Sequence, residues 1–554
     1  MRPLIRFFQT ILKSAPSQID LLALSVFTVL ITFNPFYLNH QIDIFEFGLY
    51  LPGINAIMHG AVPYRDFFHL RGPLDLYMPG LLMMITKPNI AILSTYFYFG
   101  NVLCLLFAVL IAYELLKTRY MFYLMVPALV SRTFPRVVFT YWGGMRYAFG
   151  LIAIWCFIKF FKKSRSKWMY ASGLATAFGL LTSIEMGIYA MVGIITALVT
   201  AWLLKFFPLR SLIKTLGTYF LGIGTLLLPW VIYAISNQAF IPYLKDTLTV
   251  VLNMQKVIDP HAASIYPHNL PEALSAMFNP MSINFKQMTP SYLYVSIAVY
   301  LGLRLYKKMI NATDLCLLVL SIYGFIMYNT GFRGIWTAHF EMALMPEKII
   351  YFFLGEALIL FIWSKQERNI ILCVILLALF ISSTTYAIDR FNHRFFAFKY
   401  YKHALQDKNN RALSIDRARG ILVPSDQADE LEAMVDFLKH HSQPTDTVVM
   451  FPELGAYNFL ADRPFLGKFP ISTFSWFDDE WFSKFLDQLQ NAPVRYIFVQ
   501  KATTESWRLV YLYWKPNQSK YAQMLSVIQH DYMMIGQTPL CYIYTRRTPP
   551  LSNR

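Results

Sequence analysis

Long apolar runs recur along this chain of 554 residues, and their length is the one a bilayer sets. A helix needs roughly 17 to 25 consecutive apolar residues to cross a hydrocarbon core of about 30 Å. Runs of that kind begin at Leu21 and recur as far as Ala387. With 56% hydrophobic residues, 15% charged residues and a mean hydropathy of +0.41, the chain is no ordinary soluble globule. It reads as an α-helical polytopic membrane protein.

A formal net charge of +17 would suggest nucleic acid if it lay on one soluble face. It lies in short connections instead. Arg2, Arg6, Lys13, Lys117, Arg119, the "KKSRSK" run from Lys162, Lys205, Arg210, Lys214, Arg304, Lys307, Lys308, Lys365 and Arg368 make seventeen Lys or Arg, against the single acid Glu367. By the positive-inside rule those connections are cytoplasmic, so the charge is a topology signal and no nucleic-acid partner is expected. About eleven spans follow, from 21–38 to 370–387, with the N-terminus cytoplasmic and the C-terminus outside. Residues 74–86 are too short for a span, and counting them as one would invert every later basic loop. They read as a helix lying at the outer interface. The first apolar run lacks a small-residue cleavage site and is expected to stay as an anchor.

The transmembrane domain is expected over 1–387, with a large first outer loop at 39–89 and a second outer loop at 236–290. Beyond it, 388–554 has mixed composition, with 20 Lys/Arg against 17 Asp/Glu, which suits a solvated extracytoplasmic α/β domain. "DQADELEAMVDFLKHH" and "DDEWFSKFLDQLQ" have helical spacing, and "TVVMF", "RYIFV", "YMMIG" and "CYIYT" read as strands. Asp478, Asp479 and Glu480 suit a helix N-terminus. Only Cys541 of the five cysteines falls in that domain, so no internal disulfide is expected there. CxxC, HExxH, P-loop and GxGxxG patterns are all missing from the sequence.

Polarity concentrates in "QIDIFEFGLYLPGINAIMHGAVPYRDFFHLRGPL", just beyond the first apolar run. Asp43 and Glu46 are three apart, on one face if helical, and suit a general base with a substrate or metal contact. Tyr64 and Arg65 can hold a head group, and Asp66 supplies a third carboxylate. His69 and Arg71 bring charge that suits a phosphate, before Pro73 opens the interfacial helix. Phe45, Phe47, Leu49, Tyr50, Ile54, Phe67 and Phe68 alternate with these charges, so the stretch reads as lying on the membrane surface with polar groups turned inward.

An acidic site after the first span, then "G..PYRDFF...GPL", then many helices and an outer C-terminal domain resembles the GT-C class of polytopic glycosyltransferases. The likeness is to bacterial relatives of the protein O-mannosyltransferases and of the lipid A aminoarabinose transferases. The resemblance implies a polyprenyl-phosphate-linked sugar as donor and an envelope lipid, glycan or protein as acceptor. It places the chain in the bacterial inner membrane and a catalytic acid in the first outer loop. That acid falls on Glu46 by spacing to Gly60 or on Asp43 by residue type. The adjacent Asp-Glu pair of the class is split here by Ile44 and Phe45, and its "KPP" is replaced by Arg71-Gly72-Pro73. The cofactor requirement, a divalent cation included, is left open.

Arg333 and His339, in "TGFRGIWTAHFEMALMP", are further candidates for lipid-phosphate contacts, as in related bacterial sequences. Glu185 lies in a turn between two spans, where an acid must face protein or water, and it is a candidate substrate contact lining the active cavity or, alternatively, a simple turn residue exposed to solvent. Glu356 is deeper and is expected to pair inside the bundle. Asp259, His261 and His268 match no metal-ligand spacing; their Pro-broken loop reads as a cover over the donor. Arg132, Arg136 and Arg146 flank the outer end of a hairpin. A transporter or flippase of a lipid-linked or amphipathic solute is the alternative, though it would more naturally carry mid-membrane charges and paired broken helices.

Overall fold

The computed structural model describes residues 14–32, 42, 44–69, 71–133, 140–257, 269–279, 283–331, 345–364, 407–452, 454–470, 478–492, 494–501 and 515–547. The chain forms two compact units. One comprises Met1–Pro35, Tyr96–Leu228 and Pro260–Lys402; the other comprises Phe36–Thr95, Pro229–Asp259 and His403–Arg554.

The first unit is helical. Arg119–Thr133, Thr140–Lys163, Ser166–Thr182, Ile184–Leu203, Ile283–Tyr306, Ala312–Gly331 and Met345–Ser364 fall where apolar runs predict helices. Four helices among the described residues, Ile90–Leu115, Ile184–Leu203, Leu209–Ser236 and Ala312–Asn329, are long and apolar enough to cross a membrane. Small residues set the closest approaches, as expected where packing rather than hydrophobicity joins helices. A Cβ on Gly173 would lie 2.1 Å from the Tyr219 carbonyl oxygen, and one on Gly222 would lie 2.2 Å from that of Tyr170.

Several basic residues of the short connections are paired within this unit. Arg119 Nε donates to Asp20 at 2.7 Å, Arg304 Nε to Asp314 at 2.7 Å, and Lys159 and Lys162 both hold the buried Glu114. Glu356 pairs inside the bundle as expected, though with backbone as well as a side chain. It accepts from the Lys117 and Thr118 amides at 2.6–3.0 Å and from the Thr118 hydroxyl, at the start of the Arg119–Thr133 helix. There it meets exposed N–H groups and the positive end of the helix dipole.

The second unit is α/β. A hairpin of β1 (Asn410–Ala412) and β2 (Leu422–Pro424) precedes β3 (Val448–Phe451), β4 (Tyr496–Gln500), β5 (Tyr532–Gln537) and β6 (Cys541–Arg546). The four-stranded sheet has the order β3-β4-β6-β5, with β3 and β4 parallel and the other pairs antiparallel. Helices Ser425–His441, Asp479–Asn491 and Lys515–Asp531 join it. The Asp478 side chain accepts from the Trp481 amide at 2.7 Å, which is the cap its position predicts.

The apolar residues of the opening stretch are not turned to a bilayer. Phe47, Tyr50, Ile54, Phe67 and Phe68 are all buried in this unit. Phe68 packs with Phe469 and Trp481 in the core that also holds Val449, Phe451 and Ile497. Protein covers this face, which corrects the membrane-surface expectation. A helix, Phe240–Val257, also stands where an irregular loop was expected.

Candidate functional site

Within the second unit the opening stretch folds as short helices, Ile44–Gly48 and Leu51–Met58, then a turn, then the helix Leu74–Ile85. Gly48 sits where its backbone meets another: a Cβ there would lie 3.1 Å from Gly455 and Ala456 backbone atoms. Asn55 Nδ2 donates to Asp462 at 3.0 Å, and Arg417 donates to Asn55 Oδ1 at 2.7 Å while pairing with Asp462 at 2.8 Å. The Phe68 amide donates to the Lys468 carbonyl at 2.6 Å, and Lys468 pairs with the buried Asp246 at 2.5 Å. None of these ties has a local signature, because the partners lie far apart in sequence.

The turn from Val62 to Arg71 closes on itself. The Val62 amide donates to Asp66 Oδ2 at 2.7 Å, and Arg65 grips the same carboxylate through two 2.7 Å bonds. That grip, first, and the Val62 amide draw the Asp66 carboxyl below its usual range, against a desolvation that opposes it. Tyr64 takes the left-handed conformation at φ 70°, with its ring edge-on to Tyr243 at 4.8 Å. Its hydroxyl donates to the Arg71 carbonyl, so Tyr64 is buried and positions Arg71.

His69 and Arg71 are brought together, but they differ in charge. His69 is 5% exposed, and burial, helped by the Arg71 charge, pushes its pKa down to about 3 against a hydrogen bond to the Leu49 carbonyl. Burial thus favours its neutral imidazole form. Arg71 is half-buried, with its guanidinium 5.7 Å from the Tyr50 ring, and no carboxylate among the described residues pairs with it. A cation so placed can meet an anion from elsewhere.

Glu46 lies on the Ile44–Gly48 helix, but its side chain, like Asp43, lies outside the described residues. So do Arg333, His339, Asp259, His261, His268, Arg136 and the Arg132 side chain. Glu185 belongs to the first unit, where its carboxylate accepts from Arg146 at 2.5 Å; it is a partnered residue rather than a lone turn acid. No group of three His, Cys, Asp or Glu that could hold a metal ion occurs among the described residues.

Two crystal structures share this architecture. ArnT from Cupriavidus metallidurans, bound to undecaprenyl phosphate, matches with a TM-score of 0.53 at 9% identity, over 95% of this chain and 98% of that one. The same protein in the apo state matches with a TM-score of 0.52 at 10% identity, over 95% and 96%. The chain has the GT-C fold. That holds across nearly the whole length of both chains, including the α/β unit, and confirms the fold expected from the opening stretch. Neither a protein-family model nor a curated protein matches the sequence.

Proposed function

We propose that this GT-C protein is a glycosyltransferase that moves a sugar from a polyprenyl-phosphate donor to an envelope acceptor on the outer face of a bacterial inner membrane. The observation that carries the proposal is Arg71, a half-buried guanidinium with no carboxylate partner among the described residues, in the stretch that also holds the first-loop acids. The undecaprenyl phosphate of the ArnT structure, a protein of the same fold, supports a donor of that class. In the proposed topology the chain crosses the membrane about eleven times with its N-terminus inside.

Asp43 or Glu46 takes the proton from an acceptor hydroxyl or amine. The freed lone pair attacks the anomeric carbon, the bond from that carbon to the phosphate oxygen breaks, and polyprenyl phosphate leaves with the electron pair. Arg71 stabilises the charge that develops on the leaving phosphate. Arg65 and Asp66 shape the turn that presents it, the Tyr64 hydroxyl holds its carbonyl, and His69 is proposed as a substrate contact beside it. Arg333 and His339 are proposed as further phosphate contacts, as the resemblance implies, and Glu185 as a further substrate contact.

The test is donor turnover by the full chain in liposomes, using labelled polyprenyl-phosphate sugars and an envelope extract. Asp43→Asn or Glu46→Gln, whichever removes the base, is expected to lower turnover by about 10²–10⁴-fold. Arg71→Ala is expected to cost on the order of a hundredfold. No turnover with any donor, or turnover indifferent to all three changes, would favour a transporter or flippase.

A further inference from the structure

The helix Phe240–Val257 has two faces of opposite character, both described within the second unit. One carries Tyr243 and Asp246, both buried, with Val250 packed against the core. The other carries Ile241, Leu244, Leu248 and Leu252, which are 47–70% exposed. At 100° per residue these four fall within an arc of about 80°, so they form one apolar stripe about 16 Å long. An exposed stripe of this kind is not left to water by a folded protein without a reason.

Its surroundings identify the occupant. Three residues earlier the chain leaves Leu209–Ser236, a helix long and apolar enough to cross a membrane, whose last turns expose Ile232 and Ile235. Trp230 in those turns packs edge-on against Tyr243 at 4.8 Å, and Tyr233 meets the Tyr77 hydroxyl at 3.0 Å. Tyr77 belongs to Leu74–Ile85, which itself exposes Leu81, Leu82, Met84 and Ile85. Three apolar surfaces are thus joined by Trp and Tyr side chains, the residues that gather at membrane–water boundaries. Lys245, beside the stripe, extends its ammonium to within 3.8 Å of Glu480, as a snorkelling lysine does.

We infer that Phe240–Val257 lies flat in the outer leaflet, with Ile241, Leu244, Leu248 and Leu252 in the acyl-chain boundary and its polar face on the α/β unit. Such helices bury their apolar face about 5–10 Å below the head groups. The helix does not span, because Asp246 and Lys468 form an ion pair on its protein-facing side. It fixes the height of the neighbouring turn, since Tyr243 touches Tyr64 and Asp246 holds Lys468, whose carbonyl binds the Phe68 amide. Arg71 is thereby kept at head-group depth. The inference concerns lipid contact and stands whether or not the protein transfers sugar.

The test uses the full chain in proteoliposomes, with Ile241→Cys, Leu244→Cys, Leu248→Cys and Leu252→Cys made singly, labelled with a fluorophore, and quenched by phosphatidylcholine brominated at defined acyl positions. Cys104, Cys156, Cys316 and Cys541 are buried, and labelling of the unsubstituted chain gives the background. Asp429→Cys, at a side chain 74% exposed on the α/β unit, is the aqueous control. All four positions are expected to be quenched roughly threefold or more above the control, at one shallow depth. Quenching no greater than at Asp429→Cys overturns the inference. So does a depth that changes steadily from Ile241 to Leu252, which would mean a crossing helix. Label-to-label coupling that disappears on dilution with lipid would place a second copy on the stripe and also overturn it.

Discussion

Burial, first, and the nearby Arg71 charge favour the uncharged ring of His69, against the hydrogen bond to the Leu49 carbonyl, which favours the protonated form. Its folded pKa, about 3, lies below the ordinary 6.5 of an unfolded chain. The stabilisation from this difference is therefore fully present above pH 6.5 and is lost as pH falls toward 3. Between pH 6.5 and 5 it amounts to about 2 kcal/mol. Denaturation in detergent across that range should show a shallower decline for His69→Gln than for the unsubstituted chain; equal slopes would mean the ring is charged in the fold. Such states are hard to read from sequence. The cap at Asp478 is legible because its partner is three residues away, whereas the His69 charge depends on how much protein surrounds it.

Helices and strands of the α/β unit were legible because period and caps are local properties. "TVVMF", "RYIFV", "YMMIG" and "CYIYT" are all strands, and both patterned helices are present. Phe47, Phe67 and Phe68 were misread because a sequence shows that a residue is apolar and not what covers it. Phe240–Val257 was missed because its polar and apolar positions mix in a stretch flanked by Pro and Asn. Between elements, Gly222→Ala brings a methyl to 2.2 Å from the Tyr170 carbonyl oxygen, while Gly217 has nothing within 4 Å. Both changes favour the isolated helix by up to about 1 kcal/mol. In a thermal unfolding series Gly217→Ala should therefore be neutral or stabilising, and Gly222→Ala should destabilise by about 1–3 kcal/mol. Equal effects would show that the two helices do not touch at Gly222.

The second unit is assembled from three separate parts of the chain, and the ties among them are polar as well as apolar. Arg417 reaches Asn55 across 362 residues. Arg417→Met should loosen that tie by about 1–3 kcal/mol, and hydrogen exchange should quicken over Ile44–Met58 while Ile184–Leu203 stays unchanged. Uniform quickening in both would mean general destabilisation instead. The same connectivity governs how the protein is made. Asn55 is synthesised 407 residues before its partner Asp462. At about 5–20 residues per second it waits roughly 20 to 80 seconds before that partner exists. The opening stretch emerges first and is finished last. A nascent or prematurely ended chain that stops short of Lys468 would carry every residue of the turn around Arg71 without the carbonyl that binds the Phe68 amide or the Phe469 and Trp481 rings that pack on Phe68.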